Sequence, residues 1–132
     1  MIQTQQNKYL ETAIQSASPA QLLIMLCDGA IRFCKQSIEA LKVKNYEEAN
    51  RNIIKVQDII KEFVITLDNK APIAANLLAI YDYMERRLIE ANIYKLLEPV
   101  EEVLGYLQEL RTTWFEANKL ASSGKSSDFK HG

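Results

Sequence analysis

The chain has 132 residues, a length that suits one domain burying roughly two thirds of its unfolded surface. Apolar residues make up 48% and charged residues 25%, with only four Gly and three Pro, which points to long uninterrupted elements and a helical chain. A net charge of −1 and a pI of about 5.9 supply no positive field for phosphate backbones or anionic lipid, so nucleic acid is not an expected partner.

Residues 1–17 are polar with scattered apolar side chains and no periodic face able to hold a helix alone, and they read as a mobile arm. The segment lacks a charged stretch followed by an apolar one. No apolar run approaches the roughly 18 residues of a membrane span, so a cytosolic protein without membrane insertion is expected.

Helix 1 is predicted from Ser18 to about Lys44. Ser18 suits the N-cap, Pro19 the first helical position, and Gln21 completes a capping box. Leu22, Leu26, Ala30, Phe33 and Leu41 form the centre of its apolar arc, widened by Leu23, Cys27, Ile31, Cys34 and Ile38. The two cysteines lie seven residues apart, about 10 Å along a helix, too far for an intrahelical disulfide, and read as buried thiols. Asp28, four residues before Arg32, reads as half of a surface ion pair.

Asn45 is the expected cap of helix 2, whose core stripe is Ala49, Ile53, Val56, Ile60, Phe63 and Leu67. A turn at Asp68 and Asn69 precedes helix 3, placed from Pro72 to about Tyr94, with Ile73, Leu77, Ile80, Tyr81, Met84, Leu88 and Ala91 inside. Arg86 is expected to pair with Glu90, and Tyr83 to point outward. Helix 4 starts near Pro99 and presents Val103, Leu107, Leu110, Trp114, Ala117 and Ala121, before a disordered tail over 122–132. Four helices of about 22 to 25 residues, each roughly 35 Å long and joined by short loops, predict an all-α, antiparallel up-down-up-down four-helix bundle over 18–121.

The chemistry of catalysis is missing from this pattern. The one histidine is His131, in the tail, which removes the inward Glu-x-x-His pairs of di-iron bundles, a mid-helix phosphorelay histidine, zinc sites and Cys/His or Ser/His nucleophiles. Adjacent acids at Glu47/Glu48 and Glu101/Glu102 point about 100° apart and suit the positive ends of helix dipoles. No enzyme, metal or cofactor is expected.

Apolar surface, by contrast, is in surplus. Leu78, Ile89 and Ile93 fall outside the buried stripe of helix 3, and Ile54 and Ile65 outside that of helix 2, with Asp58, Lys61 and Asp82 among them. These eight residues are the candidate partner-binding set. From periodicity alone, ordinary singly exposed isoleucines, cover by Tyr and Arg stems, and burial by a self-dimer or by the arm stay open beside a groove for a partner.

The stretches "TAIQSASPAQLLIMLCDGAIRF", "NYEEANRNIIKVQDIIKEF", "LAIYDYMERRLIEANI" and "EVLGYLQELRTTW" together resemble, in order and spacing, the flagellin export chaperones of the FliS family, over roughly residues 9 to 117. Two departures are Cys27, where the family often has tyrosine, and Lys70-Ala71-Pro72, where glycine is common. The resemblance implies a four-helix bundle that binds the disordered C-terminal segment of flagellin in the cytosol, prevents its polymerisation and assists delivery to a flagellar export gate component, with other flagellar regulators as further partners. It also implies that the arm covers part of the binding surface; Tyr9, Leu10 and Ile14, apolar residues of the arm, are the expected covering residues. The alternative expectation is a non-catalytic structural or regulatory bundle that dimerises through the helix 2/helix 3 surface.

Overall fold

The computed structural model describes residues 18–131, with side chains described over 18–121. The arm 1–17, and with it Tyr9, Leu10 and Ile14, lies outside the described residues. Among the described residues four helices make an all-α bundle: α1 (Pro19–Lys42), α2 (Tyr46–Thr66), α3 (Ala74–Tyr94) and α4 (Glu98–His131).

Local chemistry sets the starts. The Ser18 hydroxyl accepts from the Gln21 amide while the Gln21 side chain accepts from the Ser18 amide, and the Asn45 side chain accepts from the Glu48 amide. Helix α3 differs, beginning after Ile73 with no side-chain cap, two residues beyond Pro72. Helices α1 and α3 end on lysines in the left-handed region, Lys44 at φ 60° and Lys95 at φ 58°. There the amides of Asn45 and Leu96 return to the carbonyls of Ala40 and Ala91, a closure that glycine more often makes.

Each helix packs on its sequence neighbours and α1 also packs on α4, closing a ring. Gly29 approaches Ile59 and Lys55 lies over Phe33 between α1 and α2. Asn92 donates to Asn50, and the rings of Phe63 and Tyr81 are 5.4 Å apart, between α2 and α3. Tyr83 meets Tyr106, and Arg87 meets Glu102, between α3 and α4. In all three seams the numbers rise on one helix as they fall on the other, so these neighbours run antiparallel. Arg111 pairs with Asp28 to tie α4 to α1.

The core combines Cys27, Ala30, Cys34, Ile38 and Leu41 with Ile53, Val56, Ile60, Phe63, Leu77, Tyr81, Met84, Leu88, Val100, Val103 and Leu107. The stripes of α2 and α3 fall where their periodicity puts them, save that Leu67 and Ile80 are half-buried and Ile73 is exposed at the start of α3. The stripe of α1 is rotated from its expected centre. Cys27, Cys34 and Ser37 are fully buried, whereas Leu22, Leu26 and Phe33 are half-buried. Small side chains stand at the centre because α1 approaches both α2 and α4 there, and large ones fan out along its edges. Ser37 costs little inside because its hydroxyl donates to the Cys34 carbonyl.

Helix α4 also departs from the sequence expectation. Its backbone is helical to His131, where a disordered tail was expected beyond Ala121, and no proline follows Pro99 to stop a helix already nucleated. Trp114 is half-buried, and Ala117 and Ala121 are exposed rather than core. By the register of the α3–α4 contacts, α4 draws level with the first residue of α3 near Phe115 and then runs past it.

Candidate functional site

The five surplus apolar residues are all open to solvent: Ile54 is 43% exposed, Ile65 73%, Leu78 36%, Ile89 44% and Ile93 64%. Their sequence neighbours Ile53 and Leu88 are fully buried, so α2 and α3 each present an inner and an outer apolar line. The α2–α3 contacts fix the register between them. Interpolating from Phe63 opposite Tyr81 and Asn50 opposite Asn92 sets Ile54 level with Ile89, Lys61 with Asp82, and Ile65 with Leu78. From the Ile54 level to the Ile65 level is about 16 Å along the helices.

A pocket of about 580 Å³ opens in this seam, lined by Ile60, Lys61, Val64, Ile65, Leu78, Tyr81, Asp82 and Glu85. Four of the eight predicted residues, Lys61, Ile65, Leu78 and Asp82, therefore share one cavity. Ile60 and Tyr81 are buried residues of the core and form its floor, and burial together with the nearby Cys27 pushes the Tyr81 hydroxyl up to about 12. The hydroxyl stays neutral, so the floor carries no charge. Ile54 and Ile89 extend the apolar line beyond the pocket toward the Asn50–Asn92 bridge, and Ile93 lies past it, beside the exposed Tyr94.

Asp58 does not join them. It is exposed and absent from the pocket wall, although around α2 it lies about 20° from Ile65 and about 40° from Ile54, on the outer edge of their line. Val64 and Glu85 are pocket residues that sequence reasoning missed. Both could have been found: Val64 lies nearer to the α3 side of α2 than Ile65 does, and Glu85, seven residues after Leu78 and four before Ile89, falls on their line.

Polar contacts also differ from expectation. Asp28 pairs with Arg111 of α4 rather than with Arg32, and this neighbour raises the Arg111 pKa, first through the hydrogen bond. Arg86 reaches back to Asp82 at 3.2 Å, while Arg87 takes Glu90 at 2.7 Å and lies 3.4 Å from Glu102. Tyr83 packs edge-on against Tyr106, and the hydrogen bond its hydroxyl donates to Glu102 is the main cause of its raised pKa. Tyr83 and Arg87 thus belong to the α3–α4 seam, because they lie on the opposite flank of α3 from Leu78 and Ile89.

A larger pocket of about 710 Å³ follows the outer face of α1. Of its charged residues, Asp28, Glu39 and Glu48 are already paired, with Arg111, Lys42 and Arg51. Hydrogen bonds from Asn52 and then Arg51 hold Glu48 below its ordinary pKa. Arg32 and Lys35 on the same wall have no ion-pair partner among the described residues, and none of the five surplus apolar residues lies here, so the α2–α3 seam is the better candidate. Among the described residues no cluster of three or more His, Cys, Asp or Glu side chains is placed to hold a metal, and no helix is long and apolar enough to cross a membrane.

The family model described as "Flagellar protein FliS" matches residues 1–121. The chain is 35% identical over 116 residues to the flagellar secretion chaperone FliS of Bacillus subtilis, covering 88% of this chain and 87% of that protein. It is 34% identical over 120 residues to the protein of that name from Salmonella typhimurium, covering 89% of each. With the one from Escherichia coli it shares 32% identity over 111 residues, 82% of each. With a family match over nearly its whole length and relatives this similar, the chain belongs to the FliS family of flagellar secretion chaperones.

Proposed function

We propose that the chain works in the cytosol, without catalysis, as a chaperone for flagellin. It binds the disordered C-terminal segment along the α2–α3 seam, keeps it from polymerising, and assists its delivery to the flagellar export gate. The reading is carried by the line of exposed Ile54, Ile65, Leu78, Ile89 and Ile93 running beside a pocket with an apolar floor.

The energetics suit such a client. A disordered segment loses about 1 to 2 kcal/mol of backbone entropy for each residue it orders, so it needs a long apolar contact line to offset that loss. Each Ile or Leu that becomes fully covered contributes about 1.5 to 3 kcal/mol gross, and the net affinity is far below the sum. A groove of this kind fits an amphipathic helix lying along it. Tyr9, Leu10 and Ile14 are proposed to cover the seam until the client displaces them, and other flagellar regulators are proposed to compete for the same surface.

The test is co-purification with a flagellin C-terminal peptide, comparing wild type with Leu78→Asp and Ile89→Asp. Both variants are expected to fold and to lose most of the bound peptide. Folded variants that keep full binding refute the groove. Sedimentation of the free chain decides the competing use of the same apolar line: a tight dimer abolished by these substitutions, with no peptide bound by wild type, makes the seam a self-association surface. Deleting residues 1–15 is expected to raise peptide affinity or self-association, and no change in either removes the cover role.

A further inference from the structure

The two rims of the pocket carry opposite charge. Lys61 stands on the α2 side, and Asp82 and Glu85 stand on the α3 side of the same cavity, with Val64, Ile65 and Leu78 between. Asp82 shares its charge with Arg86, which is not part of the wall, while Glu85 has no ion-pair partner among the described residues, and neither has Lys61. A helix laid with its apolar stripe on this seam has one polar flank over each rim. At the pocket itself the flank over α2 meets the Lys61 ammonium group, with Asp58 one turn back along the outer edge of α2, and the flank over α3 meets carboxylates.

We infer that these rim charges fix the direction in which an amphipathic client helix lies in the seam. The occupant is a helix whose apolar stripe has acidic residues on one side and basic residues on the other. Only one N-to-C direction sets its acidic flank on Lys61 and its basic flank on Asp82 and Glu85. The reverse direction sets like charges against each other on both rims, which costs specificity more than it costs burial. The inference deepens the proposed function and rests on that reading of the seam: direction decides which end of the client emerges beside the α3 start and which beside the α3–α4 turn.

The experiment uses the full chain, isotope-labelled for NMR, and a synthetic amphipathic helix of about five turns with a leucine stripe, glutamates on one flank, lysines on the other and a nitroxide at its N-terminus. With wild type, broadening is expected at one end of the seam only, either around Ile65 and Leu78 or around Ile54 and Ile89. In the variant Lys61→Glu/Asp82→Lys/Glu85→Lys it is expected at the opposite end. In Lys61→Ala/Asp82→Ala/Glu85→Ala it is expected at both, and the wild-type preference is expected to weaken in high salt, where exposed charges are screened. None of the three positions is in the core, so both variants retain the fold. Broadening at both ends in wild type, or at an unchanged end in the inverted variant, overturns the inference. So does a peptide that leaves the seam amides untouched, or a dimer of the chain that the peptide does not dissociate. A flagellin tail that binds without a preferred direction defeats this inference alone; a directed synthetic helix with no tail binding defeats the preceding reading alone.

Discussion

Helix α2 enters two seams, and they are built on different plans. Toward α1 it meets small side chains: a Cβ added at Gly29 would lie 3.5 Å from Ile59, and the neighbouring core positions of α1 are Cys27, Ala30 and Cys34. Toward α3 it meets branched and charged ones, with Ile65, Leu78, Lys61 and Asp82 standing around an open pocket. Small residues at the centre of a seam let backbones approach and seal it, whereas large residues along its rim hold the surface open. The same helix thus secures the fold on one side and offers a surface on the other.

The sharpest way to break that contrast is to place one charge on either side of a single peptide unit. Ile53→Asp buries a carboxylate in the fully enclosed line and is expected to cost more than about 4 kcal/mol, enough to unfold a typical domain. Ile54→Asp changes only the exposed line. Its urea midpoint should stay within about 0.5 kcal/mol of wild type, while flagellin-tail affinity falls about 10- to 100-fold. Equal stability losses for the two variants would erase the distinction between inner and outer lines.

Alkali probes the sealed side. Burial pushes Cys27 and Cys34 from 9.0 up to about 12, so both thiols stay protonated in the folded chain where the unfolded chain has begun to ionise. Because the folded pKa values are raised, this contribution to stability is complete below about pH 9 and is lost as pH rises toward 12. The urea midpoint should therefore fall across that window, and alkylation of native protein below it should be slow. Rapid alkylation of the folded chain at neutral pH would mean that the α1 side opens as readily as the α3 side.

Gly29 gives the finest measure. Gly29→Leu overfills the close approach to Ile59 and is expected to cost about 1 to 3 kcal/mol, whereas Gly29→Ala meets an ordinary contact distance. Alanine should then express its better helix propensity and stabilise the chain by up to about 1 kcal/mol in the same denaturation assay. A large loss with alanine would show a tighter seam than this packing implies.

Much of this architecture was legible in the sequence because its signals are local. Ser18, Pro19, Gln21 and Asn45 mark helix starts through backbone chemistry that needs no tertiary context, and the stripes from Ala49 to Phe63 and from Leu77 to Ala91 follow one period. The exposure of Ile54, Ile65, Leu78, Ile89 and Ile93 follows from the same period. What failed depended on how the helices approach one another. Periodicity weights Leu22, Leu26 and Phe33 above Cys27, Cys34 and Ser37, yet close approach rewards small volume, so α1 turned its smaller residues inward. The wheel sets Asp58 beside Ile54 and Ile65, but which part of that line borders the pocket depends on where α3 lies, and the pocket takes Lys61 and Val64 instead. Pairing choices such as Asp28 with Arg111 cross 83 positions and leave no trace in local spacing.

The bare start of α3 has a consequence of its own. Helices α1 and α2 tie down their first amides with Ser18 and Asn45, but the opening turn of α3 has no side-chain cap, only the Ala74 amide returning to the Ala71 carbonyl, and Leu78 lies just one turn further on. Fraying there loosens one wall of the pocket without disturbing Met84 or Leu88 deeper in the bundle. The molecule thus has a soft lip at one end of its groove, and hydrogen exchange should find it as the quickest stretch of α3 to trade its protons.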